Sequence, residues 1–240
     1  MNNKIFLHIG GHKTGSTSLQ KYLHFHRLKL LESNLAFYQG MFYPENHVEL
    51  YLHCMRDRGR TFVDILLPQA RERLQAYNFK QKISEFLHIN KDKNILFSAE
   101  GLSYLRGADE IKLLKELLQS PFHNVIVLWV HRPIDEVKLS YVRQIERTKG
   151  ARISHNRESV FYISDDSFLW ETEALRKIYS SEFEFHEFDY SSQIIVELLE
   201  YMNLPLEDEI IWENKTDNSR VGKILLIIKK MLRKIHRKNQ

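Results

Sequence analysis

The stretch Lys4–Gln20, KIFLHIGGHKTGSTSLQ, constrains this chain more than any other. Ile5, Phe6, Leu7 and Ile9 form an apolar run, a cluster of Gly, Lys and hydroxyl residues follows, and Leu19, Tyr22 and Leu23 then recur at helical spacing. That order predicts a strand, a phosphate-binding loop and a helix. Gly10, Gly11 and Gly15 permit backbone angles that turn successive N–H groups inward, and Ser16, Thr17 and Ser18 add hydroxyls where a helix start has unpaired donors. Such a terminus carries roughly half a positive charge, to which Lys13 adds a full one. An anion is the expected occupant.

Gly10 and Gly15 have the spacing of a nucleotide-hydrolysing P-loop, G-x-x-x-x-G-K-[ST], but Ser16 stands at the lysine position and Lys13 lies inside the loop. The loop is related in shape and different in chemistry. Read alone, it does not distinguish an enzyme from an ordinary strand-to-helix turn.

Further along, NILFSAE (Asn94–Glu100) reads as a buried strand stopping at a carboxylate, and VIVLWV (Val125–Val130) as an interior parallel strand with no solvated face. The second run ends in His131, Arg132 and Pro133, and Ile134, Val137, Tyr141 and Ile145 then follow at helical spacing. Helices are expected after Asn46 as cap, over Gln69–His88 with an interruption near Asn78, over Ala108–Leu118, over Phe168–Tyr179 and over Ile194–Met202, with a strand over Phe183–Phe188. Strands alternating with helices predict an α/β fold: three layers around a mostly parallel sheet, with ligands at the carboxyl ends of its strands. Lys13, Glu100 and Arg132 then share one edge. Ser140, about two helical turns beyond Arg132, is placed to line the same crevice.

A chain of 240 residues with 43% apolar and 28% charged side chains is large enough for one sizeable α/β core. Residues 1–219 are expected to form it. Between Arg220 and Gln240 there are eight Lys and Arg and no Asp or Glu, so a net charge of +4 leaves −4 on the first 219 residues. The basicity belongs to the tail, and a nucleic-acid-binding face on the body is not supported. As a helix, 221–235 places Val221, Ile224, Leu225, Ile228, Met231, Leu232 and Ile235 on one stripe opposite basic residues. That pattern suits a last helix packed on the sheet or peripheral contact with an anionic membrane through 221–238. With no apolar run of about 18 residues, a cytoplasmic protein is expected. The single cysteine, Cys54, allows no internal disulfide, and no pattern of metal ligands is visible.

At this point the sequence resembles a family, the sulfotransferases that use 3′-phosphoadenosine 5′-phosphosulfate. Their 5′-phosphosulfate loop is similar to Lys13, Thr14, Gly15, Ser16 and Thr17, and their 3′-phosphate motif to Arg132, Pro133 and Ser140. The opening I-G-x-H-K-T-G looks most like bacterial carbohydrate sulfotransferases. The resemblance covers about the first 150 residues, and the late Arg-Lys-Gly segment of cytosolic members has only a faint echo in Arg220, Gly222 and Lys223. It implies transfer of a sulfuryl group to a glycan or glycolipid acceptor without metal. Gly11, His12, Lys13, Thr14, Gly15, Ser16, Thr17, Arg132 and Ser140 would hold the donor, with Lys13 at the leaving oxygen. Glu100 or His47 would be the base. Two other readings stay open: a P-loop nucleotide kinase, and a nucleotide-binding relative without turnover.

Overall fold

The computed structural model describes residues 3–11, 13–56, 67, 69–149, 167 and 170–205, with side chains omitted for 144–149. The chain divides into two compact units at Ile210/Ile211. The second unit, and with it the stretch expected to form a basic amphipathic helix, lies outside the described residues, as does His12.

In chain order the elements are β1 (Asn3–His8), α1 (Ser16–Phe25), α2 (Arg27–Glu32), β2 (Leu35–Phe37), α3 (Val48–Cys54), α4 (Ala70–Ala76) and α5 (Phe79–Ile89). Then come β3 (Asn94–Ser98), a 3₁₀ turn over Glu100–Tyr104, α6 (Ala108–Leu117), β4 (His123–His131), α7 (Ile134–Lys149), α8 (Thr172–Ser180), β5 (Glu184–Asp189) and α9 (Ile194–Tyr201). The five strands form one sheet in the order β2-β3-β1-β4-β5, every pair parallel. Ile5 pairs with Ile95 on one side and Val125 on the other, and His8 with Ser98 and Leu128. This register brings the ends of β1, β3 and β4 to one edge.

Side chains alternate across a strand, so the interior strands serve two cores. Ile5, Leu7, Phe97, Val127 and Trp129 share a buried cluster with Leu50 of α3, Ile83 of α5, Leu114 of α6 and Tyr179 of α8. Phe6, Leu96, Ile126 and Leu128 face the other way, where α9 lies, its Tyr201 ring meeting Phe6 at 6.3 Å and Phe188 at 5.5 Å. A fully buried aliphatic or Phe side chain is worth about 1.5–3 kcal/mol, so runs such as IFL and VLWV hold the layers together. The expected three-layer α/β fold is the fold observed.

The break expected near Asn78 is present, and other local details depart from expectation in ways that follow from backbone chemistry. Gln69–His88 is two helices because Asn78 takes the left-handed conformation (φ 52), which asparagine tolerates and a helix interior does not. The cap position of α3 is His47 rather than Asn46, and Asn46 instead closes a small bridge, its N–H donating to the Tyr43 carbonyl. β3 stops at Ser98, and Glu100 opens the following 3₁₀ turn. α8 starts at Thr172, later than expected, with Phe168 outside the described residues.

Candidate functional site

Past β1 the chain stays hydrogen-bonded to β4: the Ile9 and Gly11 N–H groups donate to the carbonyls of Leu128 and Val130. It then turns sharply. Lys13 is left-handed at φ 66, and Gly15, at φ 83, is the N-cap of α1. The Ser18 and Leu19 N–H groups return to the Gly15 carbonyl, which leaves those of Ser16 and Thr17 ahead of the first intrahelical acceptor. No acidic residue occupies the first turn of α1. Inside the loop the Thr14 hydroxyl donates to the Gly11 carbonyl at 2.6 Å and lies 3.3 Å from the Ser16 hydroxyl. A Cβ at Gly10 would stand 2.2 Å from Ser16 Oγ, so a side chain there would have to displace that hydroxyl.

Arg132 closes the loop from β4. Its Nη1 donates to the Lys13 carbonyl at 2.7 Å, its Nε to Glu136 at 3.0 Å, and its guanidinium lies 4.4 Å from the centre of the Tyr190 ring. The Tyr190 N–H is itself tied to the His131 carbonyl at the end of β4. Arg132 is thus a clamp on the loop backbone. Ser140, expected beside it, is half-buried on α7.

On the β3 side, Lys13 Nζ lies 5.5 Å from the centre of the Tyr141 ring. Burial pushes the Glu100 carboxyl above its ordinary value, and the nearby Lys13 charge opposes that shift. Burial and then Glu100 raise the Tyr104 phenol; burial, Tyr104 and Glu100 raise that of Tyr141. Lys13, Glu100, Tyr104 and Tyr141 therefore form one electrostatic group at the sheet edge. Tyr179 of α8 supports it, donating from its hydroxyl to the Leu102 carbonyl within the 3₁₀ turn.

His47 is elsewhere in character. It is wholly buried between the rings of Phe37, Tyr38 and Phe97, and its Nδ1 accepts from the Ser98 N–H at 2.9 Å. Burial pulls its pKa down to about 3, with the Tyr38 backbone opposing the shift. The neighbouring His8 ring, on the Ser98 hydroxyl at 2.8 Å, is lowered to about 4 by burial. These imidazoles are neutral packing elements under the loop. The expectation that His47 reaches an acceptor is corrected: it has no exposed surface.

Sequence reasoning missed Tyr104, Tyr141 and Tyr190 as site residues. Tyr141 had registered only as an apolar position at helical spacing, because periodicity does not separate a packed phenyl ring from one over a lysine. Among the described residues no three His, Cys, Asp or Glu side chains gather as metal ligands would, and no helix is long and apolar enough to cross a membrane.

No family model matches the chain, and no curated protein matches it. Among solved structures, it is similar to one from the PezAT chromosomal toxin-antitoxin system of the human pathogen Streptococcus pneumoniae, with 14% identity, 97% of this chain and 87% of that chain covered, and a TM-score of 0.41. A likeness that distant carries no argument about activity. The resemblance to sulfotransferases is corrected by the same findings. Neither family models nor curated proteins place the chain there, and the assignment as an enzyme of carbohydrate sulfation falls with it.

Proposed function

We propose that this chain binds a nucleotide, with phosphate groups seated in the loop 10–18. The preformed loop carries this reading: Lys13 and Gly15 hold left-handed conformations, Arg132 fixes the first of them through its carbonyl, and the Ser16 and Thr17 N–H groups are left for an anion. A cradle fixed before binding loses little entropy when the anion arrives. The direct experiment is calorimetric titration of the full chain with inorganic tripolyphosphate and with ATP, each with and without magnesium. Saturable binding that weakens in Lys13→Ala is the expected result, and absence of binding at millimolar ligand would overturn the reading.

A second reading is phosphoryl transfer from the nucleotide to an acceptor, and Glu100 favours it. The strand end of β4 offers no acid, but Glu100, just past β3, sits within electrostatic reach of Lys13. Lys13 and the loop N–H groups would meet charge developing on the leaving oxygens, and a carboxyl of raised pKa suits removal of an acceptor proton. Release of labelled γ-phosphate, or its transfer to added alcohols, separates this reading from binding without turnover.

A further inference from the structure

We propose that a hollow beside the loop, floored by Trp129 and walled by Trp170 and Val137, receives the planar base of the nucleotide whose phosphates occupy the loop. The proposal rests on the nucleotide reading above and adds where and how the base is held. Gly11 and Thr14 of the loop line the near side of this hollow and Arg132 its junction, so a phosphate in the loop and a ring in the hollow belong to one molecule.

Each wall has a determined role. Trp129 is almost wholly buried, with the Arg176 guanidinium 5.4 Å from its ring centre and Phe185 beside it, so it forms a floor. Gly11 leaves the way from loop to floor clear; a Cβ there would lie 3.1 Å from the Val130 carbonyl oxygen and 3.9 Å from Trp129 Nε1. Trp170, half-buried, is the surface on which a ring can stack. Tyr141 meets it in an edge arrangement at 6.1 Å, and Lys138 Nζ stands 5.2 Å from its ring centre. The same Tyr141 lies against Lys13, so one side chain sets both the stacking wall and the cation of the phosphate loop. Aromatic walls of this kind accept any base through its π face, and one stacked base is worth about 5- to 150-fold in affinity.

The test titrates the full chain with tripolyphosphate and with ATP, GTP, CTP and UTP, for the wild type, Trp170→Ala and Val137→Phe. At least one nucleotide should bind the wild type fivefold or more tighter than tripolyphosphate and quench tryptophan emission, which tripolyphosphate should leave unchanged. Both substitutions should remove that advantage while tripolyphosphate affinity is kept. If tripolyphosphate binds and no nucleotide binds tighter, or if the advantage survives both substitutions, the base site is wrong while the phosphate loop stands. If nothing binds the wild type, both readings fall. The wild-type comparison decides even where a variant fails to fold.

Discussion

Arg132 and Lys13 are joined by a 2.7 Å hydrogen bond from the guanidinium to a main-chain oxygen, across 119 residues of sequence. The register of β1 against β4 makes it possible, since it sets the ends of the two strands side by side. Both residues had been read as two separate phosphate ligands. In the fold one of them holds the other in place.

Removing that clamp has a defined consequence. Arg132→Ala takes away a charge-assisted hydrogen bond worth roughly 1.5–3 kcal/mol and frees the left-handed turn at Lys13. Tripolyphosphate affinity should fall, and amide hydrogen exchange should rise across residues 11–18 with little change in β3. Unaltered exchange in the loop would show that Arg132 is not its clamp.

Lys13 combines a backbone role with a charge, and two substitutions separate them. A non-glycine residue at φ 66 costs roughly 1–2 kcal/mol, which glycine avoids. Lys13→Gly should therefore be more stable to urea than Lys13→Ala by about 1 kcal/mol, while both lose polyphosphate affinity to a similar degree. Equal stability of the two variants would contradict the left-handed assignment.

Glu100→Gln keeps the shape of the side chain and removes its titration. If the protein transfers phosphoryl groups, nucleotide affinity should persist while kcat drops by about 10²- to 10⁴-fold. Stability offers an independent readout. Because burial raises the folded pKa, the native state binds the proton more tightly than the unfolded chain, and wild-type stability falls as pH rises above the ordinary carboxylate value. The glutamine variant should gain on the wild type over that range and match it at lower pH.

Two buried groups near α3 give opposite pH slopes. Glu49 accepts from the Met41 N–H, and burial pushes its pKa from 4.5 to about 7, so it removes stability as pH rises through that interval, by up to about 1.4 kcal/mol per pH unit. His47, pulled from 6.5 to about 3, takes up a proton on unfolding, so its contribution is lost as pH falls through its interval. Glu49→Gln should stabilise most above pH 7. His47→Asn, which can still accept from the Ser98 N–H, should flatten the acid limb. Urea midpoints between pH 4 and 8 measure both, and parallel profiles for wild type and variants would remove these two groups as the source of the pH dependence.

The elements were legible where the physics is local. Apolar alternation and runs identified β1, β3 and β4; a lone Asn78 marked the break between α4 and α5; glycines and hydroxyls after β1 marked the turn into α1. From alternating strands and helices, the shared edge of Lys13, Glu100 and Arg132 also followed, because a parallel sheet places all strand ends of one sense together. Short motif matches did not carry family membership, since a few residues around a phosphate loop satisfy the needs of any anion site. Tertiary structure alone decided what each side chain does at the edge. It turned Arg132 onto the Lys13 carbonyl, buried His47 among three aromatic rings, and gathered Tyr104 and Tyr141 around Glu100. These roles depend on strand register and on helices packing across tens of residues, distances at which sequence spacing holds no geometric information.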